Sequence, residues 1–132
     1  MNPRIASTIF STAALLAAGP ALADVYLVAN PSLTLTADEA RDVFLGEKQL
    51  AGSVKLVPFE NSAVQGEFLS NVLHMDAAKY GTLWTKKGFR EGLNAPAVKG
   101  SDLEVISSVK ANPGGVGYVS APAPGVTVIR KY

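Results

Sequence analysis

Residues 54–73, VKLVPFENSAVQGEFLSNVL, decide how this chain is expected to fold. Three of residues 54–57 are apolar and two of these are β-branched, which is typical of a buried strand. Pro58 has no N–H to donate to a ladder, so the pattern predicts that the strand stops there.

A helix is predicted directly after this strand. Ser62 and Gln65 have the spacing of a capping box, and apolar residues then recur at helical intervals, at Phe68, Leu69, Val72 and Leu73. In open α/β sheets, ligands bind beyond the carboxyl ends of strands, where a helix N-terminus favours an anion. The stretch therefore predicts either an anion site or an ordinary strand–helix connection without a ligand.

The first 23 residues have the pattern of an export signal. Arg4 precedes a short apolar run over residues 8–18, and Ala21-Leu22-Ala23 is a small-residue cleavage pattern. The run is shorter than the roughly 20 residues that a membrane span needs. We expect a signal peptide at 1–23, one domain at 24–132, a periplasmic location, and no membrane insertion of the mature chain.

The charge balance argues against a nucleic-acid partner. Of the 12 basic residues only Arg4 lies in the predicted signal, so the remainder carries as many basic as acidic side chains. Binding to a phosphate backbone requires a basic excess or a concentrated basic stripe. The chain also has no cysteine, so its core must hold without disulfides.

The rest of the chain alternates strand and helix patterns. Strands are predicted at 25–29, 116–119 and 126–129, and Gly117 inside the second indicates a close backbone approach or a bulge. Helices are predicted after three capping residues, Thr36, Asp76 and Ser101. The helix after Asp76 should place Ala77, Tyr80 and Trp84 inward and end at Gly88. This order predicts an α/β domain with a mixed sheet flanked by helices.

No catalytic or metal-binding constellation can be assembled from the sequence. His74 is the only histidine, and a helix from Ser62 would put it about 18 Å from that serine at 1.5 Å per residue. Ser70 lies one turn from His74 but has no orienting acid. We therefore expect no enzyme activity, no metal and no cofactor.

Uncharged polar residues follow the predicted strands and are the candidate ligand-binding residues. They are Asn30, Ser32, Asn61, Ser62 and Ser120, and we expect the strand ends to gather them on one edge of the sheet. Such donors suit recognition of a small anion or a polar solute by hydrogen bonds, and none is a convincing general base.

Six segments resemble, in order, small periplasmic proteins similar to the phosphate-binding subunits of ABC transporters. They are Asp42-Val-Phe-Leu-Gly46, the strand 54–58, the Phe68 helix, Trp84 followed by Phe89 and Gly92, Pro96, and Asn112-Pro-Gly-Gly-Val-Gly-Tyr118. The resemblance implies one lobe of a type 2 periplasmic binding protein and a non-enzymatic solute-binding role. The alternative is an envelope interaction or scaffold protein that keeps the lobe without a ligand.

The resemblance also carries a specific expectation about phosphate. Family members hold phosphate with an Arg and a Ser-Gly-Thr at the turn where this chain has residues 59–64, and only Ser62 corresponds. Glu60 is expected to place a negative charge beside the anion. The sequence therefore predicts weak phosphate binding or none. One lobe supplies only one wall of a ligand site. The chain is therefore expected to form a homodimer, to bind an ABC transporter or another envelope protein, or to have a shallow and weak site.

Overall fold

The computed structural model describes residues 24–132, and the predicted signal peptide lies outside them. The elements in chain order are β1 Tyr26–Ala29, α1 Ala37–Phe44, β2 Leu50–Ala51, β3 Val54–Lys55, β4 Val57–Asn61, α2 Gln65–Phe68, α3 Ala77–Glu91, β5 Ala97–Lys99, α4 Asp102–Ala111, β6 Gly115–Val119 and β7 Thr127–Lys131. Helix α2 continues without a break as a π-helical turn, Leu69–Leu73.

Five strands form one mixed sheet in the order β5-β4-β6-β1-β7. Strands β5, β4 and β6 are parallel, whereas β1 runs antiparallel to both β6 and β7. Strands β2 and β3 form a separate two-stranded hairpin. The predicted mixed α/β architecture with flanking helices is confirmed.

Helices cover both faces of the sheet, and each face has its own core. On one face, α1, α2 and α3 pack on β1 and β6 around Phe44, Phe68 and Tyr118. The rings of Phe68 and Tyr118 stack with centroids 3.8 Å apart. On the other face α4 packs through Val105 and Val109. A Cβ at Gly117 would lie 2.6 Å from Val105, which confirms the predicted close approach.

The prediction that the strand stops at Pro58 is wrong, because β4 continues to Asn61. The amide of Val57 donates to the Gly114 carbonyl on the β6 side. The nitrogen of Pro58 therefore faces the β5 side, where pairing begins only at Phe59. A proline is tolerated in this central strand because no ladder bond is required of it.

Two predicted helix ends also differ from the structure. Helix α2 begins at Gln65 without a side-chain cap, so the predicted capping role of Ser62 is wrong. In the turn before the helix, the Asn61 side chain accepts from the backbone amide of Ala63. Helix α3 passes through Gly88 and ends at Glu91, where Gly92 adopts φ +67°. The capping interactions of Thr36, Asp76 and Ser101 are present as predicted.

Candidate functional site

The carboxyl ends of the parallel strands carry a hydrogen-bonded cluster built on Asp102. This residue opens α4, and its carboxylate lies between the ends of β4 and β6. It accepts from Asn61 Nδ2 at 2.8 Å, from Ser120 Oγ at 2.6 Å and from the backbone amides of Ser120 and Ala121 at 3.0 and 3.2 Å. We call this group the carboxyl-edge cluster: Asn61, Asp102, Ser120 and Ala121.

The carboxylate of Asp102 is held in its ionised form. Partial burial opposes ionisation, but the hydrogen bonds from Ser120, Asn61 and Ala121 outweigh it and hold the pKa of Asp102 below its usual value. The free N–H groups at the start of α4 also favour a negative charge here. The cluster therefore contains a fixed anion supplied by the chain itself.

The cluster uses most of the hydrogen-bonding capacity of the predicted ligand donors. Asn61 is fully buried; it donates its second amide hydrogen to the Tyr118 carbonyl, and its oxygen accepts from the Ala63 amide. The Ser120 hydroxyl proton is donated to Asp102. Ser62 lies at the same edge with an exposed side chain, and its backbone amide donates to the Lys99 carbonyl.

Asn30 and Ser32 lie at the opposite edge of the sheet, so the prediction that all five residues gather on one edge is wrong. The physical reason is the direction of β1, which runs antiparallel to β6. Asn30 donates to the carbonyls of Val109 and Lys110 at the end of α4, and Ser32 donates to the Asn30 oxygen. These contacts close the C-terminal end of α4.

The side chain of Glu60 does not lie beside the carboxyl-edge cluster, contrary to the sequence prediction. Alternation along β4 turns it to the opposite face of the sheet from Asn61, where it is 2% exposed. Its two oxygens lie 2.6 Å from the hydroxyls of Tyr80 and Tyr118. The negative charge at the predicted anion site thus comes from Asp102 and not from Glu60.

The hydrogen-bond geometry around Glu60 accommodates a neutral carboxylic acid. The Tyr80 hydroxyl has one proton and lies 3.0 Å from the Phe44 carbonyl, which can only accept. Tyr80 can donate this proton to Glu60 or to Phe44. When it donates to Phe44, its oxygen can accept the proton of a neutral Glu60, while Tyr118 donates to the other Glu60 oxygen. Burial raises the pKa of Glu60, in agreement with this arrangement.

The only histidine of the sequence, His74, belongs to no metal-binding group among the residues that the structure describes. His74 is exposed, with φ +54°, immediately after the π-helical turn. Within residues 24–132, no three His, Cys, Asp or Glu side chains are grouped closely enough to hold a metal ion. None of the helices in this range has the length and apolar character needed to cross a bilayer.

Comparison with solved structures shows a similarity in fold. The chain is similar to the crystal structure of an ABC-type phosphate transport receptor from Vibrio cholerae, with a TM-score of 0.51 and 16% sequence identity. The likeness is one of fold. The match covers 83% of this chain and 47% of the receptor chain, so this chain spans about half the length of the receptor. Neither a family model nor a curated protein matches the chain.

Two sets of residues at the edges of the sheet were not predicted from the sequence as candidate site residues. Asp102 directly follows the predicted capping residue Ser101, and an aspartate at the first position of a helix that follows a parallel strand is a signal for an internal anion. Lys48 and Lys55 line a cavity at the other edge of the sheet. Lys48 precedes the β2–β3 hairpin and Lys55 ends it; this hairpin turns at Gly52 and was not predicted from the sequence.

Proposed function

We propose that this chain is an exported, periplasmic, non-enzymatic module of the solute-binding type that does not bind phosphate at the carboxyl ends of its strands. The fold, similar to about half of a phosphate transport receptor, supports the solute-binding class. The occupation of the carboxyl-edge cluster by Asp102 supports the exclusion of phosphate.

The exclusion follows from charge and from the number of free donors. Phosphate would meet the ionised Asp102 carboxylate, and like charges in close proximity repel. Asn61 and Ser120 would have to release Asp102 before they could donate to a ligand. The donors that remain for phosphate are the Ser62 hydroxyl and the free N–H groups of an exposed helix start. Such a helix start contributes only about 0.3–1 kcal/mol to the binding of an anion.

Isothermal titration with inorganic phosphate tests this proposal on the protein purified after export. We expect millimolar affinity at best for the wild type. Asp102→Gly should bind at least about tenfold more tightly, because it frees donors and removes a charge. Asp102→Asn provides a milder change if the glycine variant is unstable, and Asp38→Asn, which alters an exposed acid on α1, is the control.

A micromolar dissociation constant for the wild type, weakened by Ser62→Ala, would overturn the proposal. It would restore the plain phosphate-receptor interpretation, with the second wall supplied by a homodimer.

The second candidate function is an envelope interaction protein that retains the lobe without a ligand. Two exposed apolar side chains favour it: Val98 on the edge strand β5 is 60% exposed, and Leu103 at the start of α4 is 74% exposed. If the chain associates through this surface, it should form a dimer, and Val98→Ser with Leu103→Ser should dissociate this dimer into folded monomers. Sedimentation equilibrium distinguishes it from a ligand-dependent monomer.

A further inference from the structure

A cavity lies at the edge of the sheet opposite the carboxyl-edge cluster. It has a volume of about 360 Å³ and lies beside the amino ends of β4 and β5. We call it the amino-edge pocket, and the residues that matter for its chemistry are Lys48, Lys55, Leu56, Pro58, Trp84 and Pro96. Pockets of about 300–1,000 Å³ are the size that small organic ligands use.

One wall of this pocket is flat, apolar and fixed in position. The Trp84 indole N–H donates to the Phe44 carbonyl at 3.1 Å, which orients the ring. A Cβ at Gly46 would lie 3.1 Å from the ring edge, so little space separates the indole from this turn. Leu56, Pro58 and Pro96 line the remaining apolar surface. An aromatic ring of a ligand can stack on or against such a wall.

The charged side chains that line the pocket are all positive. They are Lys48 and Lys55, and no carboxylate lines it. Lys48 makes a long ion pair of 3.6 Å with Glu39, in which both side chains are partly exposed. Among residues 24–132, no carboxylate lies within ion-pair distance of Lys55. A ligand anion would therefore replace only one weak interaction.

We propose that the amino-edge pocket binds a small aromatic carboxylate, with its ring against Trp84 and its carboxylate near Lys48 and Lys55. Apolar walls and two lysines at one cavity complement both halves of such a ligand. Inorganic phosphate matches the charge but leaves the apolar walls uncovered. This site is separate from the carboxyl-edge cluster, so the proposal stands whatever the result of the phosphate titration.

Trp84 makes the proposal directly measurable, because it is the only tryptophan in the sequence. Benzoate is the probe, and benzamide is its neutral analogue of nearly the same shape. We expect benzoate to change the Trp84 emission in a saturable manner and to bind at least about fivefold more tightly than benzamide, since two partly exposed ion pairs contribute modestly.

Variants separate the pocket from general surface charge. Lys48→Gln with Lys55→Gln should weaken benzoate at least about fivefold and leave benzamide unchanged. Lys79→Gln with Lys86→Gln removes the same charge from the exposed surface of α3 and should change neither. Melting temperatures confirm that each variant is folded.

Three outcomes would overturn the proposal. Equal affinities for benzoate and benzamide would show that the two lysines do not bind the carboxylate. Equal changes in benzoate affinity in the two double variants would show the same. No saturable emission change, together with no rise in melting temperature at tens of millimolar benzoate, would show that the pocket does not bind this class of ligand.

Discussion

Replacing Glu60 by glutamine should leave the protein stable and remove most of the pH dependence of its stability. In the neutral form that burial favours, Glu60 can donate to the Tyr80 hydroxyl and accept from Tyr118. A glutamine can do the same, since its amide donates and its oxygen accepts. The Tyr80 hydroxyl keeps its own acceptor, the Phe44 carbonyl.

The expected change in unfolding free energy depends on which buried groups lose a hydrogen-bond partner. Glu60→Gln leaves no buried polar group without a hydrogen-bond partner, so we expect a change in unfolding free energy within about 0.5 kcal/mol at pH 5. Glu60→Leu leaves the buried Tyr118 hydroxyl without its acceptor, and an unsatisfied buried polar group costs about 1–3 kcal/mol. The leucine variant should therefore be clearly less stable than the glutamine variant.

The pH dependence has a defined sign. Burial raises the pKa of Glu60 in the folded protein, so the folded state holds its proton more tightly than the unfolded state does. The resulting stability is fully present below the ordinary glutamate pKa of about 4.3 and is lost as pH rises to the folded value. Each unit of increase in the folded pKa corresponds to about 1.4 kcal/mol of this loss.

The groups around Glu60 provide no compensating cation. It faces Tyr80 from α3, Tyr118 from β6 and Gln65 from α2. Among the described residues no lysine, arginine or histidine makes an ion pair with it. Ionisation at high pH would therefore leave a buried charge with hydrogen bonds alone, which is costly.

Urea unfolding at pH 5 and pH 8 measures this prediction. The wild type should lose stability over this interval by more than Glu60→Gln does, with Glu67→Gln, a half-exposed acid on α2, as the control that keeps the wild-type slope. The inference that Glu60 is neutral would be refuted if Glu60→Gln lost more than about 2 kcal/mol of unfolding free energy at pH 5 and kept the pH dependence of the wild type.

Other perturbations test the core and the carboxyl-edge cluster. Trp84→Ala should cost about 3–5 kcal/mol in urea unfolding, because it removes a buried ring; a loss below about 1 kcal/mol would contradict its role in the core. Asp102→Ala should lower stability by about 1–2 kcal/mol at pH 7, and since its folded pKa is lowered, this difference should shrink as pH falls toward that value. Gly117→Ala should cost about 1–3 kcal/mol through its clash with α4, whereas Gly66→Ala, which meets open space, should be neutral or stabilising. Intact mass of the exported protein should begin after Ala23, and a mass that retains the first residues would disprove processing there.

The sequence predicted those parts of the fold that depend on neighbours along the chain. The caps at Thr36, Asp76 and Ser101 involve contacts three residues apart, so their patterns are readable. Whether β1 runs parallel or antiparallel to β6 depends on contacts between opposite ends of the chain. For this reason Asn30 and Ser32 were placed at the wrong edge.

The composition of the candidate site was hidden for a related reason. The two faces of β4 were not assigned, because Pro58 suggested that the strand had already ended. Extending β4 to Asn61 sends Glu60 into the core and Asn61 toward α4. The sign of the charge at the carboxyl edge was thus predicted correctly, but it was attributed to Glu60 instead of Asp102.

The position of β1 constrains the order in which this protein can fold. Its partners are β6 and β7, and Tyr26 pairs with Val119 on one side and Lys131 on the other. A chain still emerging from the ribosome, or one truncated after α4, exposes the apolar side chains of β1 without a partner strand. Contacts between distant segments form slowly. The central sheet can therefore close only after β7 has been synthesised.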